Sequence, residues 1–383
     1  MKHLYLDHAA STPVHPEVAK VMMEVMTGQY GNASSVHAFG RAAKRTVSGA
    51  RDRIAASLGC LPDELVFTGG GTESDNLALF GIAAGRAGQG GHIITTAVEH
   101  HAVLHACEEL ECQGFRVTYL PVDSHGRIRI QDLEEAITPD TFLISVMYGN
   151  NEVGTLQPIE EIGTLAREHG IVFHVDAVQV LGSVPISCKE LPVDLMSFSS
   201  HKINGPQGVG ALYVRKGVAL QPRAFGGLQE KKRRAGTENM AGIAGFAKAM
   251  EIAAASIEER RAHDLELRKV FLDRLEACAG AAHFVVNGDP EHFLPHIVNI
   301  SFPETDTETL LMNLDMEGIA AASGSACTSG SLEISHVLQA MKLSEDVLRS
   351  AVRFSFGLGN TTEEMEYTAD KIGTILGRLR NRH

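Results

Sequence analysis

No uncharged apolar run in these 383 residues is long enough to cross a membrane, and the opening MKHLYLDHAAST has no apolar signal core. The expectation is a soluble, cytoplasmic protein. Positive charge is in short supply: 34 Lys and Arg face 47 Asp and Glu, for a net charge of −13. Such a surface repels phosphates, which disfavours non-specific binding of nucleic acid or of anionic membranes. It leaves room for a small anionic cofactor in a local positive pocket. The six cysteines, at 60, 107, 112, 188, 278 and 327, form no C-x-x-C and no zinc-like pairing. Five of them read as small buried apolar residues, and Cys327 is set apart by its neighbours. Walker loops, G-x-G-x-x-G, H-E-x-x-H, internal repeats and low-complexity linkers are all missing, so nucleotide and zinc-hydrolase readings lose ground. What remains is a globular composition, 44% apolar and 21% charged, in a chain long enough for two domains.

Strand-like and helix-like segments alternate from about 60 to 215. The strand candidates are ELVFT (64–68), HIITTAV (92–98), FRVTYLPV (115–122), TFLISVMY (141–148), IVFHVDAV (171–178), DLMSFSS (194–200) and GALYVR (210–215). Continuous apolar strands joined by helical crossovers predict a mostly parallel sheet covered on both faces. A short Gly/Pro-rich loop joins the last two, which suits an antiparallel pair and makes the sheet mixed. Residues 237–278 read as long helical material, with Met240, Ile243, Phe246 and Met250 at helical spacing. After Gly280 come short strands and helices, the texture of a smaller α+β domain. The final helix opens on the capping-box pattern TTEE (361–364) and ends in basic RLRNRH.

Three segments carry one chemistry between them. TGGGTESDN (68–76) follows a strand and opens a helix, so glycines and free N–H groups can meet an anion. FHVDAVQ (173–179) puts Asp176 at the end of an apolar strand, where a carboxylate can salt-bridge a protonated pyridine nitrogen. SFSSHKINGP (197–206) puts Lys202 at the mouth of the sheet, as a Schiff base with an aldehyde requires. Alone, each has a plainer reading: a tight turn, a helix cap, a solvated lysine. Together and in this order, each at a strand's C-terminal end, they point to a pyridoxal-phosphate enzyme.

A fourth segment, ASGSACTSG (322–330), surrounds Cys327 with small residues, which suits a loop able to swing a nucleophile. A thiol of ordinary pKa is only a few per cent thiolate at neutral pH. Lowering that pKa by about 1.5 units needs roughly 2 kcal/mol of differential stabilisation. His101 and His105 stand four apart, as metal ligands can, but no third ligand is evident, and a histidine stacking on a cofactor ring is the better reading. No metal is expected. Arg353, flanked by apolar residues, suits either bidentate recognition of a carboxylate or a structural ion pair.

At this point the chain resembles a known family, the group I cysteine desulfurases of the NifS/IscS type. The resemblance rests on YLDHAAST, YGNASSVHAFGR, FTGGGTESDNLA, VEHHAVL, MYGNNEVGT, FHVDAVQ, SFSSHKINGP, RAGTEN, SGSACTSG and RFSFGLGNT, in order over nearly the whole length. It implies that Lys202 carries the cofactor, Asp176 pairs with the pyridine nitrogen and Gln179 hydrogen-bonds the ring oxygen. His100 would stack on the ring and move protons. Gly71, Thr72, Ser199 and His201 would hold the phosphate. Thr237 would reach the phosphate of the other subunit of a homodimer. Asn151, at the cofactor, and Arg353 would grip the carboxylate of the substrate, L-cysteine, and Cys327 would carry the persulfide. Catalysis would then fall to Cys327, Lys202 and His100.

The implied fold is α/β of the aspartate-aminotransferase type (fold type I). Residues 15–260 would form the large cofactor domain, and 1–14 with 261–383 the small one. Two departures stand out: Ala33 replaces a usual proline, and the segment after the cysteine reads EISHVL (333–338). IscS-type members run on into a tail that docks an iron–sulfur scaffold, and this chain stops at His383. The expected protein acceptor is therefore a tRNA-thiolating enzyme or another sulfur carrier, with the iron–sulfur scaffold a weaker partner, and without direct contact to nucleic acid. The rivals are an aminotransferase or selenocysteine lyase on the same fold, and a module binding metal or an iron–sulfur cluster.

Overall fold

The computed structural model describes residues 3–303, 305–324 and 334–380. Cys327 lies outside them. The chain opens with β1 (Leu4–Tyr5), α1 (Pro16–Gly28) and α2 (Ala38–Leu58), then alternates through β2 (Leu65–Thr68), α3 (Gly71–Ala83), β3 (His92–Thr96), α4 (His101–Cys112) and β4 (Arg116–Leu120). There follow α5 (Ile130–Ala136), β5 (Thr141–Met147), α6 (Ile159–Glu168), β6 (Val172–Asp176), β7 (Leu195–Ser199) and β8 (Gly210–Val214). Two long helices, α7 (Met240–Ala255) and α8 (Ile257–Ala279), lead to β9 (Val285–Asn287), β10 (Ile297–Ser301), α9 (Thr307–Met316) and β11 (Ile319–Ala320). The remainder is α10 (His336–Ala340), α11 (Glu345–Leu348), β12 (Ala351–Ser355) and α12 (Thr362–Arg380).

Seven strands form the central sheet in the order β2-β8-β7-β6-β5-β3-β4. All run parallel except β8, which is antiparallel to both its neighbours. The strands are apolar without alternation because both faces are covered: Val66, Ile93, Leu143, Leu195 and Leu212 enter one hydrophobic cluster, while Phe67, Ile94, Ile144, Met196 and Tyr213 enter the other. Successive side chains leave a strand on opposite sides, so both must be apolar. A three-stranded antiparallel sheet, β12-β10-β9, and the short parallel pair β1-β11 lie apart from the central sheet. They share a separate core in which Leu4 and Leu6 meet Leu267, Phe271, Phe354 and Ile372.

The long helical stretch from 237 is not one helix. It begins at Met240 and breaks at Ser256, whose φ of −121° leaves the helical range, so that α7 and α8 meet at 72°. The break moves the chain from the first core to the second: Ala253 packs in one and Leu267 in the other. The capping box at 361–364 forms reciprocally, Thr361 N–H donating to Glu364 Oε2 and Glu364 N–H to Thr361 Oγ1, each at 3.4 Å. The cysteines divide. Cys107 and Cys188 are buried and Cys60 is partly buried, but Cys112 and Cys278 are exposed, against the expectation for small buried residues. Both sit at the last turn of a helix, where the covered stripe ends. Among the described residues, no single helix is long and apolar enough to cross a membrane.

Candidate active site

The parallel strands deliver their C-terminal ends to one edge of the sheet, and a cavity of about 420 Å3 opens there. It gathers ten of the twelve residues singled out in the sequence: Gly71, Thr72, His100, Asn151, Asp176, Gln179, Ser199, His201, Lys202 and Arg353. Of the other two, Cys327 is outside the described residues. Thr237 is exposed and lines none of this cavity. Yet Ala322 and Gly324, just before the segment that carries Cys327, line the cavity, and so does His336 just after it.

One end of the cavity is built for an anion. Gly70 caps α3 with φ +149°, a conformation that costs a side chain dearly. A Cβ on Gly71 would come within 2.6 Å of Val178 Cγ2, so glycine is needed there too. The first N–H groups of α3 open toward this end, where the helix dipole favours negative charge. Ser199 Oγ, on the last residue of β7, is buried and has no hydrogen-bond partner among the described residues. Glu73 holds the turn in place: its Oε2 accepts from Gly69 N–H at 2.6 Å and its Oε1 from Arg234 Nε at 2.7 Å.

That second contact ties down the arm bearing Thr237. Glu230, on the same arm, accepts from Phe67 N–H at 2.9 Å and forks onto Arg51 at 2.5 and 2.9 Å. The turn at Glu230, Lys231 and Lys232 has three consecutive positive φ values in non-glycine residues, a strain these anchors must hold.

Deeper in, three strands place a row of buried polar groups. Ser145 Oγ lies 2.8 Å from His174 Nδ1, and Ser197 Oγ lies 2.9 Å from His174 Nε2. Burial holds His174 down to about 3, so it is neutral. Asp176, at the end of β6, accepts from Val178 N–H at 2.9 Å, and burial pushes its carboxyl up to about 6. Burial, then the nearby Asp176, also pushes the Asp75 carboxyl up. Lys202 follows β7 on a single helical turn and donates to the carbonyls of Ala9 and Ala10, the latter at 3.0 Å. Burial, and after it the positive Arg353, brings its ammonium down to about 8. His100 caps α4, accepting from Ala102 N–H at 3.1 Å. Protein surrounds it closely, yet it keeps an accessible surface that opens on the cavity. Burial lowers it to about 4, as it does His201.

The far wall carries the arginine expected to meet a carboxylate. Arg353, on β12, is buried. It donates from Nη1 to the Asn151 carbonyl and from Nη2 to Asp7, both at 2.8 Å, and its Nε has no partner among the described residues. Of the two readings of this arginine the ion pair is present, with Asp7, and one buried donor faces no acceptor among the described residues.

Several residues that the motifs did not single out join the site. Asp7, Asp75, Glu152, His101 and His336 line the cavity. Glu99 lies beneath it, accepting from Thr96 Oγ1 at 2.7 Å and Met147 N–H at 3.0 Å. Glu152 touches both flanks of the cysteine segment: Ser335 Oγ donates to it at 2.5 Å, and a Cβ on Gly324 would fall 2.9 Å from its Oε2. His336 lies 2.9 Å from the Glu99 carbonyl through Nε2 and 4.7 Å, centroid to centroid, from His101. A signal existed only for the residues beside recognised motifs, such as Asp75 in TGGGTESDN. Among the described residues, no three His, Cys, Asp or Glu side chains are placed to hold a metal.

The donor set fits pyridoxal phosphate. The orphaned Ser199 hydroxyl beside the α3 N-terminus suits a phosphate, the buried Asp176 a pyridine nitrogen, and the half-desolvated Lys202 amine an aldehyde. Residues 4–368 match the family model of the class-V aminotransferases. The chain is 51% identical over 380 residues to a putative cysteine desulfurase IscS 1 of Bacillus subtilis, covering 99% of this chain and all of that one. It is 48% identical over 381 residues to the cysteine desulfurase IscS of Methanosarcina thermophila, covering 99% and 93%. A solved NifS-like protein superposes with a TM-score of 0.92 at 38% identity, covering 98% of this chain and all of the other. The structure of SspA in complex with cysteine follows at 0.82 and 37%, covering 92% and 99%. The chain belongs to the class-V aminotransferase family of pyridoxal-phosphate enzymes, among its NifS/IscS-type cysteine desulfurases.

Proposed function

We propose that the enzyme takes the sulfur atom from L-cysteine, releases L-alanine and holds the sulfur as a persulfide on Cys327. The observation that carries this reading is the placement of Gly324 and His336. The segment bearing Cys327 leaves from and returns to the wall of the cavity that holds Lys202, Asp176 and Arg353. An aminotransferase has no use for a thiol there. The names of the relatives support the same reading.

Pyridoxal phosphate, when bound, supplies an electron sink at the substrate Cα. Gly71, Thr72, Ser199 and His201 hold its phosphate, and Asp176 pairs with its ring nitrogen. Gln179, which lines the cavity, would hydrogen-bond the ring oxygen through its amide N–H. Arg353 and Asn151 orient the substrate carboxylate. Lys202, at about 8, has an unprotonated share near neutral pH and takes the Cα proton. His100, held neutral at the cavity wall, can take up or release a proton there. The Cys327 thiolate attacks the substrate sulfur: an S–S bond forms as the Cβ–S bond breaks, and the carbon that keeps the electron pair is protonated to give alanine.

We also assign residues 15–260 to a cofactor domain and 1–14 with 261–383 to a smaller one, a reading supported by the separate cores that meet near Ser256. A homodimer is supported by apolar residues left in solvent, Tyr30 at 77%, Val36 at 89% and Phe225 at 85% exposed. Dimerisation would offer Thr237 to the partner's phosphate. The sulfur then passes to a protein acceptor, and 35S-labelled persulfide offered to a tRNA-thiolating enzyme and an iron–sulfur scaffold at equal concentration reads which one.

The test is to treat the holoenzyme with L-cysteine, quantify alanine and sulfide, and map the added sulfur by mass spectrometry. Alanine in step with one extra sulfur atom on the Cys327 peptide is expected. Sulfur found on Cys107 or Cys112 instead, or turnover of a 2-oxo acid without alanine release from cysteine, would overturn the reading.

A further inference from the structure

A second cavity, of about 300 Å3, lies on the other side of Lys202, where α8 leaves the first core. Its apolar wall includes Leu181, Ile252, Phe356 and Leu358. Two charged residues of α8, Arg260 and Asp264, face it from one side, one helical turn apart. They do not pair with each other. Arg260 donates from Nε to Ser256 Oγ at 3.0 Å and from Nη1 to Asn204 Oδ1 at 3.2 Å, which leaves Nη2 without a partner among the described residues. Asp264 is only 8% exposed, and its carboxyl has no hydrogen-bond or ion-pair partner among those residues. Burial pushes it up to about 7.

A carboxyl this deeply set normally meets a donor, and the open face of this one is the cavity. Nothing in the catalytic scheme uses this one. A ligand that answers the arrangement needs a cationic donor for Asp264, an anionic acceptor for Arg260 a few ångströms away, and a small apolar body. Few metabolite classes carry all three in so little volume, and a free α-amino acid with an aliphatic side chain does. We propose that this cavity is a second amino-acid site: Asp264 takes the ammonium, Arg260 the carboxylate, and the Leu181–Ile252–Phe356–Leu358 wall the aliphatic side chain. Because Lys202 forms part of the same wall, an occupant would lie against the catalytic lysine from behind. The inference does not depend on the reading of the first cavity.

The probe is L-leucine, titrated calorimetrically into the holoenzyme while the visible absorbance of the cofactor is followed. 3-Methylbutylamine and 4-methylpentanoate serve as analogues lacking one charge each. Saturable L-leucine binding without a change in cofactor absorbance is expected, at least tenfold weaker for either analogue. Asp264→Asn should weaken it tenfold or more, with folding checked by circular dichroism. Ile252→Phe, which fills the cavity, is the second variant and should do the same. Arg353→Gln removes carboxylate recognition in the first cavity and should leave L-leucine binding intact. Three results would each overturn the proposal: no saturation up to about 10 mM, where even a millimolar site would be filled; binding that disappears in Arg353→Gln; or binding that survives both Asp264→Asn and Ile252→Phe.

Discussion

Lys202 separates two cavities of unlike construction. In front of it, the walls come from the ends of β2, β5, β6 and β7, and the last three are locked on both sides by hydrogen-bonded neighbours. Behind it, they come from α8, the chain near His8 and the end of β12, where two separate cores meet. In both places polar groups lack a protein partner among the described residues: Ser199 Oγ, Gln179 Oε1 and Arg353 Nε in front, His8 Nδ1 behind, where the Asp264 carboxyl also lacks one but keeps a surface open to the cavity. The groups in front are oriented by rigid strand ends, which is what a reaction needs from its catalysts. Those behind depend on how the two cores sit together, which suits binding more than chemistry.

The sharpest way to test the division is to remove the wall itself. Lys202→Ala should abolish the cofactor's bound absorbance and reduce alanine release to background. Proton transfer alone is worth about 10^2–10^4-fold, and covalent tethering of the cofactor adds to that. L-Leucine binding behind the lysine should survive. Alanine release at the wild-type rate would end the assignment of this lysine.

Asp176→Asn comes next. An amide cannot balance a protonated ring nitrogen, so the electron sink is lost while the shape is kept. A fall of about 10^2-fold or more in turnover is expected, within the range for removing one fixed electrostatic partner, with cofactor still bound. A variant with unchanged turnover would mean that another buried acid, Asp75 or Glu99, does this work.

How far these residues could be read from sequence follows the same division. Asp176 and Lys202 were legible because each ends an apolar run, where α/β sheets present their ligands. The antiparallel β8 was legible because too few residues join it to β7 for a crossover. Asp264 was not, since in IEERRAHDLELRK it looks like one more solvated charge, and only the fold, which sets it at the cavity behind Lys202, buries it. The tie from Glu152 to Ser335 spans 183 positions and carries no local pattern. The break at Ser256 had no proline or glycine to announce it. Thr237 reads as a site residue only through resemblance, since a single chain leaves it in solvent.

Smaller effects separate the phosphate end of the front cavity from the interface. Ser199→Ala removes one hydrogen bond to a charged group, worth about 1.5–3 kcal/mol, so cofactor should dialyse away roughly ten- to a hundred-fold more readily. Thr237→Ala should do the same only where the protein is dimeric, with the loss tracking the dimer fraction on dilution. Equal cofactor retention in wild type and Ser199→Ala would remove that hydroxyl from the phosphate site.

The smallest effect compares the two cavities through their buried acids, by stability instead of rate. Burial raises Glu99 to about 8 in front and Asp264 to about 7 behind. In the unfolded chain both titrate near 4. Between those limits the native state holds a proton that the unfolded chain has already released, so stability falls as pH rises through the window. Gln at 99 copies the protonated acid: its oxygen can still accept from Thr96 and Met147, and its amide replaces the buried hydroxyl. Asn at 264 does likewise. Each variant should therefore gain on the wild type as pH rises, Glu99→Gln up to about pH 8 and Asp264→Asn up to about pH 7. All other groups titrate alike in the compared proteins and cancel. Thermal unfolding at pH 5, 6, 7 and 8 should show melting curves that diverge by a few degrees. The divergence should stop earlier for Asp264→Asn. Adding L-leucine should erase the advantage of Asp264→Asn alone, because an ammonium ion stabilises the charged carboxylate of the wild type and can do nothing for the amide. Curves that stay parallel from pH 5 to 8 would mean that both carboxyls are solvated in the native protein, and the likeness between the cavities would then be one of shape only.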